Sequence, residues 1–300
     1  MTVLDLLLDP LTYGFMARAT ATVVVAAAVC GLLSCWLVLV GWSLMGDAVS
    51  HSVLPGVVLA YAVGAPFAVG ASVFGLLCVV LVGLVRDGGR GRVKEDAAIG
   101  VVFTSLFALG LVLVSVTPSQ VDLGHIVFGN VLGIGTAELA QVLVIGALVA
   151  LVLLVKRRDL TLYAFDPVHA HAIGLSPRLL GALLLGLLAL TAVVALQAVG
   201  VVLVVAMLII PGVTAALLTD RFVRRLVLAP SVAVVCSLVG VYTSYYTDTS
   251  TAGAVVLAQG LAFGVVLVVT RLRVARQAGP GRTRRSDRAA AGDDVAAPAA

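Results

Sequence analysis

The chain has 300 residues, 61% of them hydrophobic and only 11% charged, with a mean hydropathy of +1.18. A soluble domain is about 45–50% apolar and about 25% charged, and its outer shell must be polar, so this composition excludes a water-soluble enzyme, a nucleic-acid binder and a disordered chain. The net charge of +4 belongs to one end: residues 271–300 hold seven arginines and three aspartates, whereas residues 1–270 hold twelve residues of each sign. An all-α, polytopic membrane protein remains.

A bilayer core takes about 20 apolar residues per helix, within a range of about 17–25. On that measure nine segments are predicted to be apolar spans: 17–40, 50–64, 67–85, 98–117, 138–155, 179–197, 200–218, 226–246 and 253–270. The second is short and follows a break, so eight full spans plus one broken or re-entrant element fit equally well. Gly64-Ala65-Pro66 leaves room only for a tight hairpin between the second and third segments. Met1 is followed by Asp5 and Asp9 and not by a basic region, so no cleaved signal peptide is expected. Lys and Arg set orientation through short loops. They gather in 86–96, 156–178 and 219–225 and are absent from 118–137 and 247–252, which places the basic loops and the C-terminus in the cytoplasm. Residues 1–270 then form one membrane domain, and the Arg/Ala-rich 271–300 a disordered cytoplasmic tail. Cys30, Cys35, Cys78 and Cys236 lie in apolar runs with no CxxC pair; they read as small buried hydrophobes, not as a disulfide or zinc framework.

Few residues within this apolar background can carry chemistry. Asp47 and His51 stand four apart in Gly46-Asp47-Ala48-Val49-Ser50-His51-Ser52-Val53-Leu54-Pro55-Gly56. On a helix they share one face, and a carboxylate with an imidazole can reach one divalent cation. Pro55 and Gly56 predict a helix end or kink beside them. The alternative is that Asp47 caps a helix starting near Ala48 and His51 sits at the interface. Asp122 and His125, three apart in an outer loop, form a second possible metal pair or a loop cap. In the loop 156–178, Asp166-Pro167 reads as N-cap and first residue of a two-turn helix, stopped by Gly174 and Pro177. Such an element suits either docking to a partner or a simple connection. His169 and His171 are two apart, so they point to different faces and read as solvated. Gln197 falls between two spans near the outer side, and Pro211 interrupts the seventh segment. There is no GxxxxGK[ST] loop, HExxH or GxSxG, so no ATP hydrolysis or other enzyme activity is expected of this chain.

Taken together, these stretches resemble the permease subunits of manganese/zinc/iron ABC importers (the ABC-3 family). The resemblance rests on Leu44–Gly56, Glu95–Gly100, Asp122–Asn130, Phe165-Asp166-Pro167 with Ala172-Ile173-Gly174, Gln197–Gly200, Ala206–Pro211 and Ser244-Tyr245-Tyr246, in order over residues 15–270. It implies a homodimeric channel in the cytoplasmic membrane. That channel would bind a pair of cytoplasmic ATPase subunits, receive metal from an extracytoplasmic binding protein and hold no permanent cofactor. By position, Asp47 and His51 match the metal ligands; Phe165, Asp166, Pro167, Ala172 and Gly174 match the segment coupling to the ATPase; and Asp122, His125 and Gln197 lie toward the outer gate. The Ser-His-x-x-Leu-Pro-Gly form of the first motif leans toward manganese over zinc and iron. A permease for bulky chelates such as siderophores or vitamin B12, or a stand-alone gradient-driven metal carrier, is the alternative.

Overall fold

The computed structural model describes residues 9–10, 12–88, 94–117 and 133–277. Among these residues there are no strands, only helices: α1 (Gly14–Val40), α2 (Ser43–Ser52), α3 (Leu54–Val63), α4 (Phe67–Gly88), α5 (Glu95–Val116), α6 (Thr136–Val155), α7 (Arg157–Phe165), α8 (Pro167–Ala172), α9 (Pro177–Val199), α10 (Val201–Leu218), α11 (Phe222–Thr247) and α12 (Thr251–Gln277). Eight stretches are long and apolar enough to cross a bilayer, counting α2 and α3 as one (Ser43–Val63). Within α4 the apolar stretch is the shorter Val69–Val85, which still meets the lower limit for a span.

The second segment is therefore longer than its hydropathy predicts. α1 ends where Gly41 takes a left-handed conformation (φ 90°), and α2 restarts at once at Ser43. Asp47 lies inside α2 and does not cap it. The polar run of α2 stays helical because its hydroxyls bond within their own helix: Ser50 Oγ donates to the Gly46 carbonyl at 2.8 Å and Ser52 Oγ to the Val49 carbonyl at 3.0 Å. The expected break comes at Val53. Pro55 has no N–H to give the His51 carbonyl four residues earlier, and that carbonyl accepts the Val53 N–H in its place.

α1 lies at the centre, packed on α10 and α11 and touching α6, α7 and α9. Small residues allow the closest approaches. Gly212 of α10 donates its N–H to Ser34 Oγ of α1 at 2.8 Å, and a Cβ there would come 2.7 Å from the Ser34 carbonyl oxygen. α3 and α4 cross through Gly56 and Gly70, where a Cβ on either would lie 2.7 Å from the other's carbonyl carbon. Large apolar side chains such as Val116, Val144, Leu151, Leu257 and Leu261 point outward. In water they would be a liability, but against lipid tails they cost nothing.

Two further expectations change at the basic end of the bundle. The loop 156–178 contains a helix, α7, before the anticipated short one. Pro177 does not stop α8 but opens α9 at its first turn, with Ser176 Oγ accepting the Leu179 N–H at 3.4 Å. α12 continues through Arg271 and Arg273 to Gln277.

Candidate metal site

Asp47 and His51 occupy one face of α2, and Nε2 of His51 lies 3.2 Å from Oδ1 of Asp47. Their depth follows from their neighbours. The His51 ring packs on Phe103 (centroids 5.5 Å apart) and edge-on to Phe107 (5.4 Å), the ninth and thirteenth residues of the 22 in α5. Next to Asp47, a Cβ on Gly46 would touch Leu208, the eighth residue of the 18 in α10. Two helices thus place the pair level with their own middles. The side chains are 37% and 33% exposed, so the pair is partly walled, by α5 at the His51 ring, and about one-third accessible.

The donor separation suits a shared ion. Two donors each about 2.1 Å from one metal sit about 3.0 Å apart at a right angle and about 3.4 Å apart at the tetrahedral angle. Among the described residues no group of three or more His, Cys, Asp or Glu could hold a metal; the Asp47–His51 pair would supply two side-chain donors. A two-ligand site binds loosely and can release, which a permeation path needs. The flanking pair Phe103 and Phe107 escaped sequence inspection, although their i,i+4 spacing marks one face of α5. They limit water on one side of the imidazole.

The short helix predicted in the loop 156–178 forms with its expected cap. Oδ1 of Asp166 accepts the Val168 and His169 N–H groups at 3.0 and 2.9 Å, Pro167 opens α8, and Gly174 closes it in the left-handed region (φ 89°). Ala170 is buried against the bundle, whereas Phe165 (61% exposed), Val168 (78%) and Ile173 (56%) project from it. His169 and His171 are exposed. Nearby, Trp36 of α1 donates from Nε1 to Thr161 Oγ1 at 3.3 Å and meets Phe222 edge-on, which ties the base of α7 to the core. Gln197 lies in the last turn of α9, not between spans; the junction with α10 is the single residue Gly200 (φ 83°). Asp122 and His125 lie outside the described residues.

Comparisons with known proteins agree with this architecture. The ABC 3 transport family matches residues 12–270. The chain is 48% identical over 262 residues to the manganese transport system membrane protein MntB of Synechocystis, covering 87% of this chain and 85% of that one. It is also 48% identical over 269 residues to the chelated iron transport system membrane protein YfeD of Yersinia pestis, covering 90% of each. Among solved structures, PsaBC from Streptococcus pneumoniae in complex with Fab superposes with a TM-score of 0.79 at 34% identity, covering 88% of this chain and 95% of that one. The chain belongs to the ABC 3 transport family, as a multi-pass membrane permease and not an enzyme.

Proposed function

We propose that this chain is the permease of an ATP-driven importer of divalent metal ions, manganese in preference to zinc and iron, and that the metal passes through Asp47 and His51. The single observation that carries the reading is the Asp47–His51 pair, 3.2 Å apart, about one-third exposed and level with the middles of α5 and α10. The relatives named for manganese and for chelated iron transport support the cargo class. A second copy of this chain, facing the accessible part of the pair, adds further ligands.

The basic loops and the C-terminus face the cytoplasm of a cytoplasmic membrane. With α2 and α3 crossing as one span and α4 as the next, nine crossings put the N-terminus outside. α8, with Phe165, Val168 and Ile173 projecting, seats on a cytoplasmic ATPase dimer. ATP-driven closure of that dimer moves α7–α9 and through them the core. An extracytoplasmic binding protein delivers the metal past an outer gate to which Asp122, His125 and Gln197 are assigned by resemblance. The imidazole ligates only when neutral.

The test is elemental analysis of metal-starved cells expressing the permease with its ATPase and binding protein. Manganese should rise with the wild type and fail to rise with Asp47→Ala or His51→Ala, at equal levels of assembled protein. A rise in iron or zinc alone corrects the metal; no rise in any metal overturns the reading.

A further inference from the structure

Within the membrane-spanning part of α12, Gln259 is fully buried, and neither its carboxamide oxygen nor its nitrogen has a protein hydrogen-bond partner. Ser237 of α11 is equally buried and its hydroxyl equally unpartnered. The register of the hairpin brings the two together. Around the turn at 248–250, Ser244 Oγ lies 2.8 Å from Thr251 Oγ1, and a Cβ on Gly240 would come 2.6 Å from Cγ2 of Val255. One further helical turn away from that bend, from 240 to 237 and from 255 to 259, sets Ser237 and Gln259 level on the facing stripes.

A third unpartnered hydroxyl, Thr20 of α1, is buried nearby. α1 runs antiparallel to α11, with Gly31 against Pro230 and Ala233 and Tyr13 against Tyr245. That register brings Thr20 within about one turn of Ser237. Lipid offers no hydrogen bonds, so polar groups at this depth must be satisfied from within the protein. A carboxamide and a hydroxyl that are level but not bonded to each other define a small polar site for a ligand that both donates and accepts. A single water molecule has that chemistry, and buried waters characteristically bridge two to four such groups.

We propose that a water molecule is bound between α11 and α12, bridging the Gln259 carboxamide to the Ser237 hydroxyl. It adds a second polar link between α11 and α12, beyond the Ser244–Thr251 contact, on the buried stripe of α12 that runs through Thr251, Val255 and Gln259.

The test uses the full-length permease in lipid nanodiscs with ¹⁵N-labelled glutamine, reading rotating-frame cross-peaks between side-chain amide protons and water. The Gln259 signal is identified by its disappearance in Gln259→Asn or, should that variant not fold, in Gln259→Glu. The expected result is a cross-peak from the Gln259 carboxamide to a long-lived water, lost in Ser237→Ala. Absence of a water cross-peak in the wild type, or one that persists undiminished in Ser237→Ala, overturns the proposal.

Discussion

Gly56→Ala offers a sharp test of how the site is braced. An added methyl would lie 2.7 Å from the carbonyl carbon of Gly70 and 2.9 Å from Cδ2 of Phe74, against about 3.4 Å where ordinary contact begins. The α3–α4 crossing must therefore open by at least about 0.7 Å, and the obstacle at Gly70 is backbone that no rotamer change can clear. Overpacking of this kind costs about 1–3 kcal/mol, while alanine in a helix returns up to about 1 kcal/mol over glycine. The Gly70 carbonyl oxygen lies closer still, which puts the cost in the upper part of that range and leaves a net loss of about 1–2 kcal/mol, or an apparent Tm lower by about 2–3 °C at about 2.1 cal/mol/K of unfolding entropy per residue. Gly70→Ala should cost as much. The double variant should cost less than the sum, because one opening accommodates both methyls. Gly83→Ala, with nothing within 4 Å of its added Cβ, is the control and should be neutral or slightly stabilising. Thermal unfolding of the purified permease, followed by tryptophan fluorescence at one fixed scan rate, measures all four. An unchanged Tm for Gly56→Ala, or a loss as large for Gly83→Ala, refutes the reasoning. Because α3 continues from α2, the same opening should also lower metal uptake.

Other consequences can be measured on the same material. Asp166→Ala removes both cap bonds of α8, a loss of about 1 kcal/mol in local helix stability. It should weaken the stimulation of ATP hydrolysis by metal-loaded binding protein, while Asp166→Asn, which keeps an acceptor oxygen, largely preserves it. Phe107→Ala opens the wall beside the His51 ring and should raise the metal concentration needed for half-maximal uptake more than it lowers the maximal rate; equal effects on both would mean that Phe107 only supports the fold.

Much of this protein is written locally. Apolar runs of bilayer length mark most of the spans, since a spanning helix must be apolar over the bilayer's thickness whether its surface meets lipid or another helix. Pro55 marks the break at Val53 by what its ring and missing N–H forbid. Asp166-Pro167 marks the start of α8, and the four-residue step from Asp47 to His51 places them on one face. The start of α2 at Ser43 was hidden: its serines bond to their own helix and its Asp and His to each other, so a segment that counts as polar is locally satisfied. Helix α7 was hidden too, because its charged residues read as loop while Leu160 and Trp36 anchor it to the bundle. Only the assembled helices bring Phe103 and Phe107 of α5 to the His51 ring and Leu208 of α10 beside Gly46. The surroundings of the Asp47–His51 pair are a relation among three helices far apart in the chain, and hydropathy, which weighs one segment at a time, carries no information about which surfaces those segments turn toward one another.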